Sequence, residues 1–203
     1  MSTGTRVPAH PIAPFFSARW SPRAFVDVPL DDAELSSLFE AARWAPSANN
    51  SQPWRFIYAR KGTPHWNHFL SLLNENNQRW AARASVLIVL LSKTTHVRAG
   101  EATATPLRNH SLDAGAAWLS LAIQAEHQGW RTHAIGGFDR DRARQLLEVP
   151  ADFAVEIAIA VGKQADALTL PDDLRSREVP NQRLPLNQIA AEGRFEWDTT
   201  TTQ

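Results

Sequence analysis

One short apolar segment constrains the fold of this 203-residue chain more than any other feature. Residues 84–91, with the sequence ASVLIVLL, contain no charged side chain, and Ser92 and Lys93 follow them. The segment is far shorter than the ~20 residues that a membrane-spanning helix needs, so it predicts a buried β-strand. The first 20 residues contain three prolines and no apolar run of signal-peptide length. We therefore expect a cytoplasmic protein that makes no membrane contact.

The composition excludes several classes of site. Without cysteine the chain has no disulfide, no thiolate nucleophile and no cysteine-ligated zinc or iron–sulfur cluster. The 21 Lys and Arg residues balance the 21 Asp and Glu residues, which argues against a nucleic-acid-binding protein. Eighteen of the basic residues are Arg and only three are Lys. An anion-binding site in this chain would therefore consist mainly of guanidinium groups.

Helices and strands are predicted in alternation along the chain. Asp31 followed by Glu34 indicates a capped helix that ends near Ala45, because Pro46 cannot continue it. A longer helix is predicted at 112–128, with Gly129 at its end. Further strands are predicted at 54–59, 84–91, 131–135 and 153–161, further helices at 65–73, 78–83 and 139–147, a loop at 101–108 and an extended connection at 162–178.

This mixture of elements, without an internal repeat or a low-complexity linker, predicts one α+β domain. We expect an irregular N-terminal arm at residues 1–18, a single domain at 19–197 and a frayed tail at 198–203.

Three local patterns are typical of ligand sites, and each also has an ordinary structural explanation. Arg19, Ser21 and Arg23 would supply a phosphate with several donors, although two arginines alone are more often a solvated pair. The small and amide side chains of residues 45–54 would suit the edge of a planar heterocycle, or a surface turn. Gly136 and Gly137 would expose backbone N–H groups before a helix, or simply form a tight turn.

Other catalytic or metal-binding arrangements find little support. His65 and His68 have no third ligand at a suitable spacing, so we expect no metal site. Ser47 does not lie in a G-x-S-x-G nucleophile turn. The eight tryptophans are better explained as core and interface residues than as a stacking surface for single strands.

Taken in order, these patterns resemble the FMN-dependent nitroreductase family over about residues 18–190. R-x-S-x-R occurs at residues 19–23, and the phrase AAR-x-APSA-x-N-x-QPW occurs nearly unaltered at residues 41–54. The glycine-rich turn follows at residues 136–139, and R-L-P-L follows at residues 183–186. Each motif is weak alone, but the four in this order are specific. The resemblance implies an α+β nitroreductase-like fold, with a mostly antiparallel central sheet flanked by helices, completed by homodimerisation.

The resemblance also implies a set of cofactor-binding residues and no catalytic side chain, because FMN carries the chemistry. The FMN phosphate would be held by one group, the flavin ring by a second group from the partner subunit, and the polar edge and reactive face of the ring by a third. The first group is Arg19, Ser21, Arg23 and Arg183, the second is Pro46, Ser47, Ala48 and Asn50, and the third is Asn77, Gly136 and Gly137. Trp20 and Gln52 are also expected to bind the cofactor.

The sequence departs from the family pattern at two of these places. Many members have Glu where this chain has Gly136, so a side-chain contact of those relatives is absent. Many also have Lys two residues before the late arginine, where this chain has Asn181, and Arg23 would compensate for the missing charge. Relatives differ in the substrate lid that corresponds to residues 98–108, so the family resemblance predicts no role for this segment.

The implied activity is reduction of nitroaromatic, quinone or other flat electron-poor acceptors by NADH or NADPH, through a ping-pong mechanism. The family resemblance leaves other reactions open, namely dehalogenation, azoline oxidation and flavin breakdown. A flavin-binding module without turnover is a further alternative. The sequence does not distinguish NADH from NADPH, and it identifies neither the physiological acceptor nor the proton donor.

Overall fold

A computed structural model describes residues 6–97, 100 and 102–197 of the chain. Its larger sheet has five strands and its helices lie on both faces of that sheet. The strands are β1 (Phe25–Val26), β2 (Trp54–Arg60), β3 (Val86–Lys93), β4 (Thr95–His96), β5 (Thr105–Pro106), β6 (Arg131–Ile135) and β7 (Phe153–Gln164). The helices are α1 (Pro14–Ala18), α2 (Asp32–Arg43), α3 (Trp66–Leu70), α4 (Glu75–Ala81), α5 (His110–His127), α6 (Arg140–Leu146) and α7 (Asp172–Arg175).

Every pairing in the larger sheet is antiparallel. β3 lies between β2 and β7, and the other edge of β7 pairs first with β6 and then, further along, with β1. The small remaining ribbon pairs β4 with β5. The predicted α+β fold with a mostly antiparallel sheet and flanking helices is therefore confirmed.

The apolar segment of the sequence becomes the central strand of the sheet. Successive side chains of a strand point to opposite faces, and in β3 both faces are buried. Leu87, Val89 and Leu91 pack into one core with α3, α4 and α6. Val86, Ile88 and Leu90 pack into a second core with α2 and α5. A strand that is buried on both faces requires apolar residues at successive positions, as this segment provides.

The helix ends follow from local chemistry. Asp31 caps α2 by accepting a hydrogen bond from the backbone N–H of Glu34. The Glu34 carboxylate does not return this bond but accepts one from Trp130 Nε1 at 3.0 Å, which ties α2 to the start of β6. Helix α5 ends before Gly129, whose φ of 75° lies in the left-handed region that glycine adopts most easily.

Three predictions about local structure need correction. The N-terminal arm is not irregular throughout, because Pro14 begins the short helix α1. Residues 162–178 are not an extended connection, because β7 continues to Gln164 and a 3₁₀ turn (Ala167–Thr169) and α7 follow. The predicted loop at 101–108 contains β5. The predicted tail at 198–203 lies outside the described residues.

None of the helices in the described part of the chain has both the length and the apolar character that crossing a bilayer requires.

Candidate functional site

Five arginines from three separate parts of the chain line one cavity of about 410 Å³. Its lining consists of Arg6, Arg19, Trp20, Ser21, Arg23, His133, Arg177, Val179, Asn181 and Arg183. None of these lining residues is acidic. The cavity, which we call the arginine pocket, is therefore suited to a ligand with more than one negative charge.

Glu178 holds two walls of the arginine pocket together. Its buried carboxylate accepts hydrogen bonds from the backbone N–H groups of Arg23 and Ala24, at 2.7 and 2.8 Å. Its other oxygen lies 3.8 Å from an Arg23 guanidinium nitrogen. These contacts join the segment before β1 to the segment after α7, about 155 residues away in sequence.

The pocket arginines are crowded by one another and partly removed from water. Burial lowers the pKa of Arg19, and the positive charge of Arg183 lowers it further. Burial and then the nearby Arg177 charge lower the pKa of Arg23. Arg19 Nη1 is buried and has no hydrogen-bond partner among the described residues. An unpaired buried guanidinium donor is costly, and the nearby Glu126 charge offsets part of that cost by raising the pKa of Arg19.

His133 forms the floor between the pocket and the protein interior. Its Nδ1 lies 2.9 Å from the carbonyl oxygen of Pro22, which can only accept, so Nδ1 carries the proton. Its ring stacks on Trp80 with the centroids 4.6 Å apart. Burial, with a smaller contribution from the Arg23 charge, lowers the pKa of His133 to about 4. The ring is therefore neutral at pH 7 and orients the Ser21–Arg23 segment.

Asn77 and the glycine turn form a second group. Asn77 Nδ2 donates to the carbonyl oxygen of Gly137 at 3.0 Å, and Asn77 Oδ1 accepts from Trp80 Nε1 at 3.2 Å. A Cβ on Gly137 would lie only 2.4 Å from the Asn74 amide nitrogen, whereas a Cβ on Gly136 would meet nothing within 4 Å. Because Trp80 also stacks on His133, a continuous chain of contacts joins this turn to the arginine pocket.

The loop that contains Pro46, Ser47, Ala48, Asn50 and Gln52 forms a third group. Asn49, Asn50 and Gln52 all have positive φ angles, which are uncommon for residues other than glycine. The loop is held by Asp113 of α5, whose carboxylate accepts from the Ala48 N–H at 3.1 Å, and by Ser47 Oγ, which accepts from the Gln52 N–H at 3.0 Å. The loop does not line the arginine pocket of its own chain.

The structure thus brings some of the predicted site residues together and leaves others apart. Arg19, Trp20, Ser21, Arg23 and Arg183 line one pocket, although residue 183 is distant in sequence. Asn77 contacts the turn at Gly136 and Gly137, but all three lie outside the pocket lining. That each of these residues binds a cofactor stays a prediction.

Sequence reasoning did not identify Arg6, His133, Arg177 or Glu178. No spacing within the chain links these residues to the Arg19–Arg23 motif. The clustering of Arg175, Arg177 and Glu178 just before the late motif was the one local signal available.

Comparison with known proteins identifies related sequences and structures. The sequence model of the nitroreductase family matches residues 16–65 and 63–163. A crystal structure described as an oxidoreductase containing FMN is 45% identical, with a TM-score of 0.93, and the match covers 98% of this chain and all of that one. A nitroreductase family protein from Streptococcus pneumoniae is 24% identical, with a TM-score of 0.68, over 88% of this chain and 98% of that one.

Two sequence relatives have provisional names of the same type. A Streptomyces coelicolor protein named as an NADH dehydrogenase or NAD(P)H nitroreductase is 40% identical over 85 residues, which cover only 42% of each chain. A Streptococcus pyogenes protein named as an NAD(P)H nitroreductase is 25% identical over 82% of this chain and 92% of its own length.

Proposed function

Because this chain belongs to the nitroreductase family, we propose that it is an FMN-dependent oxidoreductase. In this proposal NADH or NADPH reduces a nitroaromatic compound, a quinone or a similar flat electron-poor acceptor. One observation carries the proposal. The arginine pocket, lined by five arginines and Ser21 and by no acidic residue, has the charge and the donor set that a phosphomonoester such as that of FMN requires. The 45% identical oxidoreductase described as containing FMN supports the same cofactor.

Arg19, Ser21, Arg23 and Arg183 would hold the FMN phosphate. The Ser21–Arg23 part of this set is fixed by the protein itself, since Glu178 binds the backbone of Arg23 and His133 binds the carbonyl of Pro22. Preorganised donors lose little conformational entropy when the anion arrives. A bound anion would also offset the burial and the mutual repulsion that lower the pKa values of Arg19 and Arg23.

Asn77, Gly136 and Gly137 would face the flavin ring. Asn77 retains one amide hydrogen and one oxygen lone pair beyond its contacts with Gly137 and Trp80, so it can still bind the polar edge of the ring. The open space at Gly136 allows the backbone to approach the ring closely. The same position in many relatives holds a glutamate.

The chain acts as a homodimer in this proposal, and the Pro46–Gln52 loop of one subunit would contact the flavin of the other. Large apolar side chains that one chain leaves exposed support association. Trp44, next to the loop, is 74% exposed, and so is Leu112 at the start of α5. Since Asp113 holds the loop, an interface along α5 would position it.

Bound through the residues of the arginine pocket and the Asn77–glycine group, FMN would supply the two-electron redox chemistry between the reduced nicotinamide and the acceptor. The protein would bind and orient the reactants at one site, and we expect ping-pong kinetics, with the oxidised nicotinamide leaving before the acceptor binds. His133 is neutral at pH 7, since burial lowers its pKa to about 4, and the other residues assigned to the site include no carboxylate, thiol or second imidazole. The proton would therefore come from water or from a hydroxyl of the substrate.

Purification and anaerobic reduction test this proposal. The purified or FMN-reconstituted protein should be yellow and should bleach when NADH or NADPH is added without oxygen. Initial rates at several acceptor concentrations should give the parallel double-reciprocal lines of a ping-pong reaction. A colourless protein that cannot be reconstituted with FMN contradicts the proposal. A yellow protein that neither reductant bleaches indicates a flavin-binding module without turnover, and oxygen uptake would separate an oxygen-using relative from a reductase.

The variant Arg19→Ala/Arg183→Ala tests the assignment of the pocket. We expect it to lose FMN on gel filtration while its circular dichroism spectrum remains that of the wild type. Retention of FMN by the double variant would show that other arginines hold the phosphate.

A further inference from the structure

Arg6 is anchored at the mouth of the arginine pocket although it lies outside every sequence motif. Its Nη1 donates to the carbonyl oxygens of Arg19 and Ser17, at 2.7 and 3.3 Å, and its Nε donates to the carbonyl oxygen of Asn181, at 2.8 Å. One side chain thus joins three segments: residues 6–13, the C-terminal end of α1 with Arg19, and the segment that contains Arg183. The family model matches from residue 16 onward, so Arg6 precedes the residues that it matches.

The Arg6 guanidinium lies close to the place where this chain lacks a positive charge that many relatives have. Asn181 is neutral where many relatives have lysine, and the Arg6 guanidinium is bonded directly to the Asn181 backbone. Arg23 was expected to compensate, but it lies beside the Glu178 carboxylate, which offsets part of its charge. Arg6 has no carboxylate partner among the described residues, and it lines the pocket.

The surroundings of Arg6 are unfavourable for a cation unless an anion is present. Burial lowers its pKa, and the charges of Arg183 and Arg19 lower it further. Backbone carbonyls hold the guanidinium groups of Arg6 and Arg183, and these groups and that of Arg19 repel one another. A phosphate between them would convert this repulsion into attraction and would fix the arm to the pocket.

We propose that Arg6 is a phosphate-binding residue of this site, and that phosphate binding couples cofactor occupancy to anchoring of the N-terminal arm. This inference rests on the proposed FMN site. It assigns to residues 6–13 a role in retaining the cofactor. Because the coupling acts through the phosphate group, it should distinguish FMN from riboflavin, which has the same ring system and no phosphate.

Flavin titrations of the apoprotein test the inference. FMN and riboflavin are each titrated, with quenching of flavin fluorescence as the signal, against the wild type, Arg6→Ala, Arg6→Lys and the control Arg60→Ala. Arg60 is a partly exposed arginine that pairs with Asp32 and does not line the pocket. We expect Arg6→Ala to weaken FMN binding about 10- to 100-fold, the range for a lost charged hydrogen bond, and to leave riboflavin binding within about twofold. Arg6→Lys should retain part of the affinity, and Arg60→Ala should match the wild type.

Two results would overturn the inference. FMN affinity of Arg6→Ala within twofold of the wild type would show that Arg6 does not bind the phosphate. Equal weakening of FMN and riboflavin would show that Arg6 only maintains the structure.

A measurement without flavin separates this inference from the proposed function. Inorganic phosphate, compared with chloride at equal ionic strength, should raise the Tm of the wild type more than that of Arg6→Ala. It should also slow hydrogen exchange in residues 6–13 of the wild type. If the wild type binds phosphate in this way but not FMN, the proposed function fails and Arg6 is still an anion ligand. If phosphate raises the Tm of the wild type and of Arg6→Ala equally, Arg6 does not bind the anion, whether or not the protein binds FMN.

Discussion

At the scale of single residues, the close packing around Gly137 leaves two side-chain amides little room to move. Gly137 lies under the amides of Asn74 and Asn77, and a Cβ would come within 2.4 and 2.7 Å of them. Neither amide can shift freely, since Asn74 caps α4 and Asn77 is bonded to both Gly137 and Trp80. The neighbouring Gly136 has open space instead.

Gly137→Ala should therefore weaken FMN binding and destabilise the fold, because one of these amides must give up its contacts. We expect a loss of about 1–3 kcal/mol in the free energy of unfolding, typical of overpacking, and a clear decrease in FMN affinity. Urea denaturation and flavin titration measure the two effects. Gly136→Ala is the matched control and should fold with wild-type stability. Equal stabilities for the two variants would contradict the close contact at Gly137.

His133 makes the stability of the protein depend on pH. Its pKa is about 4 in the folded state, against about 6.5 in an unfolded chain, so only the unfolded chain binds the proton between these values. The contribution of His133 to stability is therefore fully present above pH 6.5 and is lost as the pH falls toward 4, by up to about 3 kcal/mol.

His133→Phe should remove this dependence while keeping the stacking on Trp80. The free energy of unfolding, measured by urea denaturation at pH 4.5 and pH 7.5, should differ less in the variant than in the wild type. The exposed His127 provides the control, since His127→Gln should keep the wild-type difference. An unchanged difference in His133→Phe would mean that other groups cause the acid sensitivity.

At the scale of elements, the short strand β1 connects the phosphate segment to the sheet. Phe25 of β1 is fully buried and lies across Gly162 of β7, where a Cβ would come within 2.7 Å of the ring. The glycine thus lets β1 pair with β7 directly after Arg23 and Ala24, whose N–H groups bind Glu178. The contact between Phe25 and Gly162 therefore affects both the packing of the sheet and the geometry of the pocket.

Gly162→Ala should destabilise the protein by about 1–3 kcal/mol, because the buried ring cannot move away from the added methyl group. A double-mutant cycle with Phe25→Leu tests the cause. If the ring is responsible, the double variant should be more stable than the sum of the two single effects predicts, as judged by urea midpoints. Strict additivity would place the strain elsewhere.

At the scale of the whole molecule, the exposed apolar surface is the surface that the proposed dimer would bury. Leu112 is 74% exposed at the start of α5, next to the Asp113 carboxylate that holds the Pro46–Gln52 loop. Leu184, Leu186, Ile189 and Phe195 are also exposed in the C-terminal segment. Apolar surface of this extent on a monomer is typical of an interaction surface.

Leu112→Lys should weaken the dimer and, with it, FMN binding. Sedimentation velocity should give twice the 22.6 kDa chain mass for the wild type and a shift toward the single-chain mass for the variant. Leu168, 70% exposed in the turn before α7, provides the control, and Leu168→Lys should remain dimeric. A monomeric wild type that binds FMN tightly would contradict both the dimer and the role of the loop.

Much of the local structure could be predicted from sequence because its causes are local. The apolar segment predicted a buried strand, Asp31 predicted the start of α2, and Gly129 predicted the end of α5. Where these signals were weak, as at Pro14 or between Gln164 and Arg175, the predictions were wrong. Short helices contain too few residues to show a periodicity, so their positions depend on packing.

The sequence by itself determined the family, the central strand and the arginine motif, since each is a pattern of neighbouring residues. Only the tertiary structure decided how the pocket is completed. Glu178 reaches Arg23, His133 reaches Pro22 and Arg6 reaches Asn181 across separations of more than 100 residues. Such contacts depend on the order of strands in the sheet and on the path of the two chain ends. Charge composition predicted guanidinium groups at an anion site, but the fold determined which five of the arginines line it.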